Sequence, residues 1–200
     1  MTAPTKSPLK NIVYGVNEND LDDKDKIVGA ASCTTNAIVP TLKVLNDEFD
    51  IQSGHIESVH SYTNDQNLID NFHKKVRRGR SAALNMVITE TGAGKAVGQV
   101  LPELQGKLTA NAVRVPTPNV SLAIINLRFA KDITLEELND FLRQKAFHSD
   151  LKEQIGFTNS PEVVSTDFVG DRHAGIIDSA ATIVNGNKCV LYVWYDNEFG

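Results

Sequence analysis

The sequence predicts an α+β fold, a mostly antiparallel sheet with helices on one face. Three observations carry that prediction. Short runs rich in β-branched and aromatic residues outnumber the helical patterns; many of them alternate apolar with polar side chains, as a half-buried strand must; and strands and helices do not follow the strict alternation of a parallel βαβ fold. A length of 200 residues with 41% hydrophobic content is enough to bury one core, so residues 1–200 are read as a single domain.

The elements follow in order. Residues 1–10, MTAPTKSPLK, have no apolar run and are expected as a flexible N-terminus. Strands are expected at 12–16 (IVYGV) and 26–30 (KIVGA). A helix over 34–48 places Ile38, Leu42 and Leu45 on one face, flanked by Val39 and Val44; Pro40, past its first turn, removes one helical hydrogen bond and should bend it. Strand 55–63 (HIESVHSYT) comes next. Residues 70–90, DNFHKKVRRGRSAALNMVITE, hold no steady period and are expected as a long ordered loop, a feature usually functional inside a compact domain. A helix over 92–104, strands at 109–115 and 120–130, and a helix over 134–146 follow, the last opening on a Thr with two Glu in its first turn. Strands at 162–169, 181–186 and 188–196 complete the chain.

Composition excludes several classes. The 25 acidic against 20 basic residues, net charge -5, argue against nucleic acid or an anionic membrane as the main partner. No apolar run approaches the ~18–20 residues of a membrane span, and the N-terminus has no apolar export core. Two cysteines, Cys33 and Cys189, far apart in such a chain point to a reducing compartment, and the cytoplasm is the expected location. No metal site is expected.

Residues 29–40, GAASCTTNAIVP, set a cysteine at the start of a helix. There a thiol meets unpaired backbone N–H groups and the positive end of the helix dipole, both of which favour thiolate. Packing is the commoner role of an arbitrary cysteine, but Ser32, Thr34 and Thr35 surround this one with hydroxyls that an apolar niche has little use for. Of five histidines, His60 lies in the polar stretch SVHSYTNDQ soon after the cysteine helix and is the best partner for Cys33. Such a pair does not by itself fix the reaction, since hydrolases and acyl-transferring dehydrogenases share it. Two features suggest an anion nearby. ITETGAGKAVG (88–98) fits neither the dinucleotide fingerprint nor a P-loop, yet Thr91 as N-cap with Gly92 after it offers free N–H groups at a helix start. HKKVRRGR (73–80) is densely basic, and Arg114 sits inside an apolar strand where a charge needs a partner.

SCTTN, HSYTNDQ, RRGR, TETGAGKAVGQVLPELQGKL, AVRVPTPNVS and WYDNEFG, in this order and at these spacings, resemble the catalytic domain of phosphorylating glyceraldehyde-3-phosphate dehydrogenases, over almost the whole chain from about residue 10. The resemblance implies that the nucleotide-binding half is absent and that an isolated domain lacks activity. It implies an NAD-dependent aldehyde dehydrogenase, with NADP left open, that converts glyceraldehyde 3-phosphate and inorganic phosphate to 1,3-bisphosphoglycerate through a cysteine thiohemiacetal and thioester. Cys33 would be the nucleophile and His60 the base. Thr63 and Arg114 match the site for the substrate's phosphate; Ser32, Thr34, Thr91, Gly92 and Arg78, or else Arg80, match the site for the attacking phosphate; Asn197 matches the residue that holds the nicotinamide carboxamide. Residues 70–90 match the family's S-shaped loop, which packs between subunits of a homotetramer. Ala37 stands where a second cysteine is often found. Erythrose-4-phosphate dehydrogenase, a role of the basic loop in binding RNA or protein without chemistry, and a Cys/His hydrolase are the competing readings.

Overall fold

The computed structural model describes residues 1–5 and 9–199. The first helix, α1 (Cys33–Phe49), is capped by Ser32, whose Oγ accepts a hydrogen bond from Thr35 N at 3.1 Å. It spans the expected segment with one residue more at each end. Its apolar face, Ile38, Val39, Leu42 and Leu45, is fully buried, and Pro40 is accommodated within it.

Among the described residues, eight strands form one sheet: β1 (Ile51–Ser61), β2 (Val87–Thr89), β3 (Leu108–Val115), β4 (Ser121–Phe129), β5 (Ile155–Thr158), β6 (Gly175–Asp178), β7 (Ile183–Asn185) and β8 (Lys188–Tyr195). The strand order is β2-β3-β1-β4-β8-β6-β5, with β7 beside β8. β1/β3 and β5/β6 are parallel; the other pairs are antiparallel, so the sheet is mixed and mostly antiparallel as expected. Period-two alternation works as the sequence suggests. On β4, Ala123, Ile125, Leu127 and Phe129 are buried while Asn126 and Arg128 face solvent, and on β8 Cys189, Leu191, Val193 and Tyr195 are buried. α1 lies against β1, β4, β5, β6 and β8, α2 (Ala93–Val100) against β3 and α1, and α3 (Leu135–His148) against β5. Thr134 caps α3 in a reciprocal box with Glu137.

Some expectations need correcting. Segments 12–16 and 26–30 are not strands; one isolated bridge joins Asn11 to Gly29, and the chain turns over Val13–Asn17 with Gly15 at φ 79° and Asn17 Oδ1 accepting from Val13 N. Segment 162–169 holds a 3-10 helix at Ser165–Phe168, because Asp167 Oδ2 accepts from Val164 N at 2.7 Å and closes the turn. The helix expected over 92–104 ends at Val100, and Pro102 opens a separate 3-10 turn, Pro102–Leu104. Strands β2, β5 and β6, of three or four residues, were not foreseen. Residues 70–90 contain a 3-10 helix, Val76–Gly79, as well as β2. Part of the segment expected to be flexible, residues 6–8, lies outside the described residues; beside it, Thr5 N donates to Asn11 Oδ1 and Ala30 N to Met1 O. Among the described residues no helix is long and apolar enough to cross a membrane.

Candidate active site

The turn into α1 determines where the cysteine points. Ala31 takes φ 58°, a left-handed conformation that costs an alanine about 1–2 kcal/mol, and Ser32 is extended, so the chain swings abruptly into the helix with Cys33 as its first residue. β1 delivers His60 from the other side, one residue before the strand ends. Cys33 Sγ lies 3.5 Å from His60 Nε2. Parallel pairing of β1 with β3 sets Arg114 directly beside His60. Arg114 Nη1 is 2.6 Å from His60 Nδ1 and donates to Ser61 O at 2.9 Å, while His60 Nδ1 lies 2.7 Å from the same carbonyl.

These groups share a cavity of about 550 Å³, whose wall includes Ser32, Cys33, Thr34, His60 and Arg114 together with Arg78, Thr91 and Gly92. Gly92, rather than Thr91, is the N-cap of α2; Thr91 Oγ1 instead accepts from Ala93 N at 3.2 Å, one step before the helix. Arg78 is buried and held by three contacts, Nε to Thr89 Oγ1 at 2.9 Å, Nη2 to Glu90 O at 3.3 Å, and an ion pair with Asp65. Arg80 is turned away, paired with Asp70 at 3.1 Å on the wall of a separate cavity. Of the two arginines left open by the sequence, only Arg78 lines the Cys33 cavity.

Two sequence-derived residues fall elsewhere. Thr63 lines a separate cavity with Asn64, Asp65 and Gln66. Asn197 is not on the cavity wall: its Oδ1 accepts from Ser61 Oγ at 2.6 Å and Ser121 Oγ at 2.9 Å, and its Nδ2 donates to Glu198 Oε1 at 3.2 Å. Lys75 and Lys95, which lie within the stretches 73–80 and 88–98 but have no assigned role in the sequence reading, also line the cavity. Lys95 lies one helical turn after Gly92, which was a readable signal. Lys75 Nζ approaches Glu90 Oε2 at 3.6 Å. Among the described residues, four cations therefore face one carboxylate in this cavity, a balance that favours an anionic ligand.

The electrostatics differ from the simple helix-terminus expectation. Burial pushes the Cys33 thiol up, and the Thr34 backbone N–H, the Thr34 hydroxyl and the Arg114 charge only partly offset it. Burial, then the Arg114 charge, pushes His60 down to about 4, against the pull of the Ser61 carbonyl. Both shifts favour the uncharged forms, thiol and neutral imidazole, and oppose the helix-end effect on the sulfur. Cys189, on an apolar strand, is pushed up to about 12 by burial.

Comparison with known proteins bears on this arrangement. The family described as glyceraldehyde 3-phosphate dehydrogenase, C-terminal domain, matches residues 32–197. A glyceraldehyde-3-phosphate dehydrogenase-like protein of Pseudomonas aeruginosa is 67% identical over the whole chain, which covers 43% of that protein. Glyceraldehyde-3-phosphate dehydrogenase of Borreliella burgdorferi and glyceraldehyde-3-phosphate dehydrogenase 1 of Bacillus subtilis are each 46% identical, again over the whole chain and 60% of their own length. The chain spans between 43% and 60% of the length of these relatives.

Proposed function

The chain belongs to the glyceraldehyde-3-phosphate dehydrogenase family, as its C-terminal catalytic domain, and from that premise we propose that it carries the acyl-transfer machinery for oxidative phosphorylation of glyceraldehyde 3-phosphate. The observation that carries this reading is the 3.5 Å approach of Cys33 Sγ to His60 Nε2 inside a cavity that also presents Arg78, Arg114, Thr91 and Gly92. His60 Nε2 takes the thiol proton as Cys33 Sγ bonds to the aldehyde carbon, and hands it to the carbonyl oxygen, which becomes the thiohemiacetal hydroxyl. It then takes the hydroxyl proton of the resulting thiohemiacetal as hydride leaves, and an oxygen of inorganic phosphate displaces Sγ from the thioester. As the carbon–sulfur bond breaks, His60 returns its proton to the departing Sγ, and only this last step restores the thiol and the neutral ring.

Arg114 is the group for the substrate's phosphate; Thr63, which lines a different cavity, is assigned to the same anion by the family resemblance alone. Arg78, the Gly92 end of α2, Thr91, Ser32 and Thr34 serve the attacking phosphate. Asn197 fits a carboxamide: with Oδ1 held by two serine hydroxyls and one Nδ2 hydrogen on Glu198 Oε1, its second Nδ2 hydrogen is left to donate outward. A bound nicotinamide, of NAD or NADP, would accept the hydride. The homotetramer of this reading is in keeping with the apolar side chains that residues 68–88 leave exposed, Phe72, Val76, Leu84 and Met86 among them, which suit packing against another subunit; the cytoplasm is the location that goes with the same reading.

The test uses the half of the chemistry that needs no cofactor. Mixed with 1,3-bisphosphoglycerate, the chain should become acylated at Cys33, seen by peptide mass spectrometry and absent in Cys33→Ser. No acylation of a Cys33 that iodoacetamide still alkylates would refute the reading. NADH production from glyceraldehyde 3-phosphate by the chain alone is not expected.

A further inference from the structure

Asp196 and Asn197, the two residues that follow β8, grip one turn from two sides. Asp196 is 1% exposed, and its carboxylate is satisfied by donors from three segments. Oδ2 accepts from Gly170 N at 2.7 Å and Asn119 Nδ2 at 3.0 Å; Oδ1 accepts from Glu198 N at 2.9 Å and Phe199 N at 3.3 Å. Asn119 Oδ1 in turn accepts from Val120 N at 2.8 Å. Val120 stands at φ 66°, in the left-handed region, where a β-branched residue remains only under constraint. The next residue, Ser121, opens β4, and its hydroxyl donates to Asn197 Oδ1.

The Asn197 amide has one workable orientation. Ser121 Oγ accepts from Ser61 N at 3.1 Å, which leaves its own hydrogen for Asn197 Oδ1, and Ser61 Oγ donates to the same oxygen at 2.6 Å. Turned over, the amide would set Nδ2 against both hydroxyls and Oδ1 against the Glu198 carboxylate. Two buried hydroxyl hydrogens would then lose their acceptor, and two acceptor oxygens would face each other. We propose that Asp196 is a positioning residue for Asn197: it clamps the Asn119–Val120 turn, which sets the Ser121 hydroxyl on Asn197 Oδ1 and keeps Nδ2 outward for the carbonyl oxygen of a carboxamide. This rests on Asn197 being the carboxamide contact.

The strain at Val120 is what makes the clamp necessary. Packing with Phe168 and Ile176 anchors the valine side chain, whereas its N–H is held by Asn119 and Asn119 by Asp196. Released, the valine relaxes toward negative φ, the start of β4 moves, and the Ser121 hydroxyl leaves Oδ1. Glycine takes the left-handed conformation without strain. Val120→Gly therefore removes the need for a clamp while deleting buried apolar contact. A role of Asp196 in positioning and a role only in stability predict opposite outcomes for that substitution.

NMR of the ¹³C,¹⁵N-labelled chain reads the amide directly. In the wild type, the Asn197 Hδ2 protons should show stronger NOEs to Glu198 Hγ than to Ser61 and Ser121 Hβ, and the side-chain amide should be as ordered as rigid backbone, with S² about 0.85. Asp196→Asn and Asn119→Ala break the clamp from its two ends. Each should lower that S² below about 0.6 and weaken the strong N–H to Hα NOE by which Val120 reports its positive φ. Adding Val120→Gly to either should restore the ordered amide even as the urea midpoint falls further. A wild-type amide that is mobile or turned toward the serines overturns the proposal, and that measurement needs no variant to fold. Clamp variants that leave the amide ordered overturn it too, as does a Val120→Gly addition that leaves it mobile. Acylation of Cys33 by 1,3-bisphosphoglycerate in a chain whose Asn197 amide is mobile refutes this inference alone, whereas an ordered amide in a chain that is not acylated refutes the proposed function.

Discussion

Tyr195 Oη lies 2.9 Å from Thr34 Oγ1 and 2.9 Å from Ser58 Oγ, so a phenol with no solvent exposure ties the first turn of α1 to the centre of the sheet. The same ring meets His60 edge-on, with centroids 5.9 Å apart. Cys33 and His60 arrive on different elements, and this side chain fixes the gap between them from below.

Removing that oxygen should be costly for its size. Tyr195→Phe keeps the ring packing but leaves the buried hydroxyls of Thr34 and Ser58 without their shared partner, an effect of roughly 1–3 kcal/mol. Urea unfolding of the two proteins checks it. A loss below 0.5 kcal/mol would mean the hydroxyls find other partners.

The two cysteines should separate cleanly on alkylation. Cys33 is partly exposed beside a base, and Cys189 is buried with its thiol pushed up to about 12. Iodoacetamide on the folded protein should label Cys33 and spare Cys189. Because burial also raises the Cys33 thiol, its rate should keep climbing with pH beyond the range of an ordinary thiol. A rate that levels off near neutrality would show that the thiolate is favoured at rest.

His60 should make the fold acid-sensitive in a definite window. Folding lowers its proton affinity from 6.5 to about 4, so below 6.5 the unfolded chain takes up the proton first. The stability is fully present above 6.5 and is lost as pH falls through about 4, to a total on the order of 3 kcal/mol. Asp25, Asp70 and Asp196, held low, lose their contributions as pH falls from the ordinary carboxylate range, at the acid end of that window and beyond it. Denaturant midpoints between pH 7.5 and 4.5 should therefore fall more steeply in the wild type than in His60→Gln.

What could be read in the sequence depended on whether the signal was periodic, local or relational. β4, β8, α1 and α3 were legible because alternation or a capped apolar face repeats over eight or more residues. β5 and β6 are too short to show a period, and Ile155, Gly156 and all four residues of β6 are buried, so no alternation marks them. Cys33, His60, Arg114, Thr91 and Gly92 were found through motif order and helix-end chemistry, and they meet in one cavity. Neither the Tyr195 bridge nor the approach of Arg114 to His60 Nδ1 was readable, since each depends on strand register between distant segments. The dipole argument at Cys33 named a genuine local effect but could not weigh the burial that opposes it.

Arg78 and Arg80 give the last prediction. Both belong to the basic run 73–80, but the 3-10 helix at Val76–Gly79 buries Arg78 against Thr89, Glu90 and Asp65 and leaves Arg80 outside, paired with Asp70. Of these two arginines, only Arg78 lines the cavity of Cys33 and can touch an anion there. Phosphate protection of Cys33 from iodoacetamide measures that contact without a cofactor. A charge-assisted hydrogen bond contributes roughly 1.5–3 kcal/mol, so Arg78→Gln should raise the phosphate needed for half-protection by about tenfold or more. Arg80→Gln should stay within about twofold, the effect of one screened surface charge. Arg78→Lys keeps the charge but not the fork, and should fall between them, which separates lost anion binding from a disturbed loop. Equal effects of Arg78→Gln and Arg80→Gln would mean that the basic run acts only through its overall field.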